Sequence, residues 1–157
     1  MSTDELFYRE MPRDAETERR TLCALLLLDK TGHEAFGKLD KKDFCLGSMG
    51  FNGWLFERIR SGRQVKGSTL AYLLRAKHRR RAAELGVGNL ALELARLAIG
   101  PDSRYRPGQV RLLPQYVGRL KDITKRRRRI WDAEQAYQRA WNDWDDNERR
   151  RGESAAD

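Results

Sequence analysis

The chain has 157 residues, of which 39% are hydrophobic and 35% charged, and its 32 Lys and Arg against 23 Asp and Glu give a formal net charge of +9. This length predicts one domain with a modest core, and no apolar run approaches the roughly 20 residues that cross a bilayer. The excess of basic over acidic residues favours anionic partners, either nucleic acid or an acidic protein surface. Cys23 and Cys45 lack metal-ligand spacing and indicate reduced thiols, and the acidic start at Asp4 and Glu5 is unlike a signal peptide. We therefore expect a cytoplasmic protein.

The first predicted helix follows a flexible N-terminal arm at residues 1–11. Pro12 and Asp14 indicate the start of a helix over 15–28, because the Asp14 carboxylate can accept from the exposed amides near Thr17. The apolar residues of this helix are expected to face the core.

The middle of the chain is predicted to supply the densest part of the core. Thr31 can cap a short helix that turns Phe36 and Leu39 inward. Large apolar residues then recur at mostly helical spacing: Phe44, Phe51, Trp54, Leu55, Phe56 and Ile59.

Two further helices are predicted before a loop. Ser68 caps the first, which carries a basic run towards its end and is interrupted at Gly86 and Gly88. The second follows Asn89 with apolar residues at i, i+4 spacing, and it stops at residues 100–101, a Gly-Pro pair. Residues 102–107 are predicted to form a loop.

The last predicted element is one long helix over residues 114–151. The segment lacks Pro after Pro114, and its apolar residues keep largely to one face. Residues 152–157 are predicted to be a disordered tail. The sequence thus predicts an all-α protein in which a compact bundle of about five helices, over residues 12–113, precedes one long C-terminal helix.

One string resembles a nucleotide-binding loop. Residues 32–38 fit the pattern G-x-x-x-x-G-K, but Leu39 stands where the loop needs a magnesium-binding hydroxyl, and no strand pattern precedes it. We predict a loop and a short helix there. His33 and His78 accompany no nucleophile or carboxylate pair and are expected at the surface. We therefore expect no catalytic site, metal, cofactor, small-molecule substrate or membrane contact.

Two basic runs are candidates for nucleic-acid binding. Consecutive cations on a helix point all round it, so at most a few in each run can face one phosphate backbone. A solvated, solubilising surface is the alternative, and the sequence leaves both interpretations open. The candidate residues are Arg75, Lys77, Arg79, Arg80, Arg81, Lys125, Arg126, Arg128 and Arg129.

An apolar stripe on the long helix is the candidate protein interface. A helix over residues 114–149 rises on the order of 50 Å and extends beyond so small a bundle. Aromatic residues on its outer part therefore either face water or contact another chain. The candidate residues are Ile123, Ile130, Trp131, Tyr137, Trp141 and Trp144.

The order of these pieces resembles the N-terminal domain of DnaB-type replicative helicases. Pro12 with residues 16–18, Leu22 and residues 25–28 is similar to the P-x-x-x-E-A-E-x-x-x-L-G-x-L opening of that family. Further similarity lies in Leu39, Asp43 and Phe44 (L-x-x-x-D-F-Y), in Trp54, Leu55 and Phe56 (h-x-I-F), in Ser68, Thr69 and Leu70, in Gly88 to Leu94, and in the spacing of Tyr116, Arg127 and Ile130.

The resemblance covers roughly residues 12–130 and concerns only the family's non-catalytic collar domain. Cys23 stands at a usual Gly and Cys45 at a usual Tyr, residues 65–67 lack the family's Asp, and only the first arm of its helical hairpin is present. In that family the domain pairs subunits in the collar of the helicase ring and offers a docking surface to primase. The resemblance therefore implies a replication-associated interaction module.

Two functional hypotheses follow. The first is a protein-binding module of the primosome, which pairs with itself as a homodimer, with a helicase collar or with a primase. The second is a nucleic-acid-binding accessory protein that holds DNA or RNA through its basic runs.

Overall fold

The computed structural model describes residues 11–28, 34–65, 67–99 and 110–156. Within these ranges the chain is all-α, as predicted, and contains no strand. The helices are α1 (Ala15–Leu27), α2 (Ala35–Lys38), α3 (Phe51–Gly62), α4 (Thr69–Leu73), α5 (Ala76–Glu84), α6 (Leu90–Ile99) and α7 (Leu113–Ala156), with two short 3₁₀ helices, η1 (Lys41–Asp43) and η2 (Gly47–Met49).

Helix α1 begins where its capping residue predicts. The Asp14 carboxylate accepts hydrogen bonds from the Thr17 amide at 3.0 Å and from the Thr17 hydroxyl at 2.7 Å. These bonds hold the pKa of Asp14 below its ordinary value, because they stabilise the charged carboxylate. Helix α1 then packs against α3, α6 and α7 and lies at the centre of the bundle.

The core is built mainly from α1, α3 and the start of α7. Phe44, Leu55 and Phe56 have no exposed surface, and the Phe44 and Phe56 rings stack at 5.2 Å. Helix α3 approaches η2 so closely that a Cβ on Gly53 would lie 2.1 Å from the Gly47 carbonyl oxygen. Glycine is therefore required at Gly53, and the prediction of a dense core in this part of the chain is confirmed.

The single helix predicted after Ser68 is two helices. Ser68 caps α4 through the Ala71 amide at 3.4 Å, but the chain turns at Leu74 and Arg75, and Arg75 has extended ψ. On one straight helix, Leu73 and Ala82 would face opposite sides, because they are nine residues apart at about 100° per residue. The turn lets Leu73 and Ala82 both enter the core.

The long helix differs from its prediction at both ends. Its first part belongs to the bundle, since Leu113 and Leu120 are fully buried core residues. At the other end the helix continues to Ala156, so residues 152–156 are not a disordered tail. Gly152 is an isolated glycine, and the glutamate and two alanines that follow it are good helix formers.

Several sequence predictions fall outside the described residues. They concern the arm at residues 1–10, the cap at Thr31, the stop at residues 100–101 and the loop at 102–107. Met11, which the sequence places in the arm, is buried.

Candidate protein interface on the long helix

One stripe of residues runs along α7 and passes from the core into solvent. Every seventh residue from Tyr116 to Trp144 lies on it: Tyr116, Ile123, Ile130, Tyr137 and Trp144. Tyr116 and Ile123 are 8% and 3% exposed, whereas Ile130, Tyr137 and Trp144 are 40%, 65% and 56% exposed. A second row, which includes Leu120, Arg127 and Trp141, changes in the same way, with Trp141 48% exposed. The surface that packs on the bundle therefore continues beyond it without a covering element among the described residues.

The sequence prediction of this interface is corrected at one residue. Ile123 is a core residue and is not available to another chain. It lies on the predicted face, but the bundle extends further along α7 than the sequence suggested. Trp131 is half-buried.

We use the name distal stripe for Ile130, Tyr137, Trp141 and Trp144. Its three aromatic rings contact one another edge to face, with ring centroids 6.2 Å apart for Tyr137 and Trp141 and 5.8 Å apart for Trp141 and Trp144. Together with Ala140 they line a shallow groove of about 240 Å³. Among the described residues these are the only exposed aromatic side chains, so the surface is concentrated at one place.

A buried polar cluster fixes α7 just before it leaves the bundle. The Asp43 carboxylate, which has no exposed surface, accepts from the Thr124 hydroxyl at 2.6 Å and pairs with the Lys121 ammonium at 2.7 Å. The Arg127 guanidinium is 2% exposed and donates to the Lys42 carbonyl at 3.0 Å. Because each of these contacts joins η1 to α7, the cluster sets the direction in which the distal stripe projects.

Sequence reasoning missed the role of Arg127. It stands among five consecutive cations and is left out of the nucleic-acid candidates, but no buried position is predicted for it. The available signal was its register, since Arg127 follows Leu120 by seven residues and so lies on the buried face.

A second buried carboxylate joins α1 to the start of α3 and to the segment before it. Glu18 is 1% exposed, and its carboxylate accepts from the Cys45 amide at 2.9 Å and from the Asn52 side chain at 3.1 Å. Burial raises the pKa of the Cys45 thiol, and Cys23 is also buried. Both cysteines are therefore core residues with little access to solvent.

The two basic runs are exposed on the surface. Directly before α5, Arg75 lies over the Tyr72 ring at 4.8 Å, and on α5 Arg81 pairs with Glu84 at 2.8 Å. Lys77, Arg79 and Arg80 are exposed as well. On α7, Lys125, Arg126, Arg128 and Arg129 are exposed, and Arg128 contacts Asp132 at 3.5 Å.

The nucleotide-loop pattern does not form a phosphate cradle in its described part. Gly32 and His33 lie outside the described residues. Lys38 is the last residue of the four-residue helix α2, where its ammonium lies 3.6 Å from Glu34. A phosphate-binding loop instead places its lysine at the beginning of a helix. Within the described ranges no cluster of His, Cys, Asp and Glu could hold a metal ion.

His78 is buried, contrary to the prediction of a surface position. It is 3% exposed, its Nδ1 lies 2.7 Å from the Tyr72 carbonyl oxygen, and its ring meets Trp54 and Tyr72 edge to face. Nε2 is buried without a hydrogen-bond partner. The turn between α4 and α5 produces this position, because it points residue 78 inward.

We expect His78 to make stability depend on pH. Burial lowers its pKa from the ordinary 6.5, and the Lys77, Arg58 and Arg75 charges act in the same direction, against the Tyr72 hydrogen bond. The unfolded chain then binds the proton more tightly than the folded one. The neutral His78 ring therefore contributes fully to the free energy of unfolding above about pH 6.5. This contribution is lost as the pH falls from there towards the lowered pKa of His78 in the folded protein.

The measurement compares urea unfolding of the wild type and His78→Phe from about pH 7.5 to about pH 5. As the pH falls over this interval, the free energy of unfolding of the wild type should decrease relative to that of His78→Phe. Parallel pH profiles would contradict the prediction.

Comparisons of the chain with protein-family models, curated proteins and solved structures gave no significant match. Among the described helices, none combines the length and the apolar character that crossing a bilayer requires.

Proposed function

We propose that this protein is a non-catalytic interaction module that docks onto another protein through the distal stripe. The observation that carries the proposal is the continuation of a buried, seven-residue-periodic stripe into solvent as three exposed aromatic residues. Exposed apolar surfaces of this kind on a folded protein usually mark interfaces, and Trp and Tyr are enriched among their anchors.

The replication setting of the proposal comes from the resemblance to the DnaB collar domain. By that resemblance, the partner is a helicase collar, a primase or a second copy of the chain. The proposed site of action is the cytoplasm, because Cys23 and Cys45 indicate reduced thiols. The buried cluster of Asp43, Thr124 and Arg127 supports an interaction role, because it holds the projecting helix at a fixed angle to the bundle.

The test is affinity capture from the native cell with three baits, each run with and without nuclease. The baits are the wild type, Trp141→Ala with Trp144→Ala, and the matched control Gln135→Ala with Asn142→Ala, which changes two exposed residues elsewhere around the same helix. A replication protein held by the wild type and the control after nuclease, and lost from the tryptophan variant, would support the proposal. Equal capture by all three baits would contradict it.

Nucleic-acid binding is a second candidate function, favoured by the exposure of the basic run on α5. Among the described residues, only Arg81 of this run pairs with a carboxylate. Lys77, Arg79 and Arg80 are therefore available to phosphates.

If this run binds nucleic acid, affinity should fall steeply with salt, since each neutralised phosphate releases counterions. Replacing Arg79, Arg80 and Arg81 with Ser should weaken binding similarly for all sequences and reduce the slope of log K against log salt by about 2 to 3. Fluorescence anisotropy with labelled DNA and RNA over a salt series measures both quantities. Absence of binding at low salt would instead favour a solvated surface.

A further inference from the structure

We infer that the distal stripe is covered by a second copy of this chain, with the two α7 helices antiparallel and crossing near Ala136. The inference rests on the proposed function, to which it adds the identity of the partner and the orientation of the contact. It is carried by the distribution of charge on either side of the stripe.

Two oppositely charged segments flank the distal stripe. The basic segment, residues 125–129, contains five cations and no carboxylate, and four of the cations are exposed. The acidic segment, residues 143–148, contains Asp143, Asp145, Asp146 and Glu148 and no cation, and all of it is exposed. The distal stripe is therefore flanked by opposite charges, and three arginines, at residues 149–151, follow the acidic segment.

The opposite charges of the two segments favour one orientation for two copies. In a parallel pair, each basic segment would face the other basic segment and each acidic segment the other acidic one, which is unfavourable. In an antiparallel pair, each basic segment faces the acidic segment of the other copy. The crossing then falls midway between the segments, near Ala136, and Ile130 of one copy comes about level with Trp141 of the other.

The charges within one copy leave this contact available. Asp146 and Glu148 contact Arg149 and Arg151 at 3.1 Å and 3.4 Å. These are exposed i, i+3 pairs, which contribute little and can rearrange. In the antiparallel pair these arginines lie beyond the basic segment of the other copy.

The area of contact suits a weak, reversible dimer. Tyr137, Trp141 and Trp144 are about half exposed or more, so they supply on the order of 300 Å² per copy when covered. A standard interface needs roughly 800 Å² per partner. Alanines and the aliphatic parts of long charged side chains must supply the remainder over roughly 36 Å of helix between residues 125 and 148. We therefore expect monomer and dimer to exchange at micromolar concentrations.

The dimer also divides the two basic runs between different roles. The run on α7 is occupied by the acidic segment of the other copy. Of the two basic runs, only the run on α5 would then be accessible to nucleic acid in the dimer.

Sedimentation velocity of the full chain, from low to high micromolar concentration, tests the inference. The wild type should show concentration-dependent dimerisation. Reversing the basic segment (Arg126→Glu, Arg128→Glu and Arg129→Glu) should weaken it at least about tenfold, and so should reversing the acidic segment (Asp143→Arg, Asp145→Arg and Asp146→Arg). A chain carrying both reversals should dimerise again, because unlike charges once more face each other. The matched control, Arg79→Glu with Arg80→Glu and Arg81→Glu, makes the same change of net charge on α5 and should leave dimerisation unchanged.

Spin labels on Ser154→Cys report the orientation directly, since Cys23 and Cys45 are buried. Residue 154 is exposed near the end of α7. An antiparallel pair that crosses near Ala136 places the two labelled positions about 50 Å apart, whereas a parallel pair places them within about 15 Å. The longer distance supports the inference, and the shorter one overturns it.

The outcomes separate this inference from the proposed function. A wild type that stays monomeric at high concentration overturns the dimer, and the proposed function stands if capture of a replication protein still depends on Trp141 and Trp144. Dimerisation that is altered neither by the tryptophan variant nor by the charge reversals overturns the dimer on this surface, and the capture experiment then tests the use of the distal stripe separately.

Discussion

Arg127→Ala should lower the free energy of unfolding by about 3 kcal/mol or more, whereas Arg128→Ala should change it by less than about 0.5 kcal/mol. The two residues are neighbours in a run of arginines, but Arg127 is buried and Arg128 is exposed. Truncation of Arg127 leaves a cavity in the bundle and removes the donor to the Lys42 carbonyl, a partly buried hydrogen bond to a charged group that contributes about 1.5 to 3 kcal/mol by itself.

Urea unfolding followed by circular dichroism measures both variants. Arg127→Met keeps most of the volume but not the hydrogen bonds, so it should fall between the wild type and Arg127→Ala. If the two alanine variants were equally stable, the cluster around Asp43 would not be what fixes α7 to the bundle.

Trp141→Ala with Trp144→Ala should weaken association by at least about 2 kcal/mol, or roughly thirtyfold in Kd, while the free energy of unfolding stays within about 0.5 kcal/mol of the wild type. Both tryptophans are about half exposed and lie beyond the last buried residue of α7. Their removal takes apolar contact area from the interface and little from the core.

The measurement pairs a titration of association with a urea melt, and Gln135→Ala with Asn142→Ala is the control for both. Unfolding of the whole double variant would mean that the stripe belongs to the core and that α7 folds back. If association and stability were both unchanged, the distal part of α7 would simply be solvated.

The sequence predicts well those features that depend on local patterns. The Asp14 cap, the apolar spacing in α3 and α6 and the absence of a helix breaker in α7 each depend on residues close together in the chain. The all-α class follows from them. These patterns also locate the exposed aromatic residues, because they show where a long helix must leave a small bundle.

The features that sequence reasoning missed are those that depend on tertiary contacts. The division of the helix after Ser68 follows from the need to bury both Leu73 and Ala82, and His78 enters the core as a result. Arg127 and Glu18 look like surface charges until η1 and the segment before α3 approach them. The register of Arg127 marks it as the cation on the buried face of α7, but no pattern in one sequence shows that it meets a carbonyl from a distant segment.

The seven-residue spacing of the stripe on α7 has a geometric consequence for any helix that covers it. Two turns of an α-helix contain 7.2 residues, so a repeat of seven drifts by about 20° per repeat and winds slowly around the helix. A straight partner would lose contact with the stripe after a few turns. A helical partner must therefore cross α7 at about +20° and coil around it in a left-handed supercoil, which brings successive side chains of each helix into the spaces between those of the other.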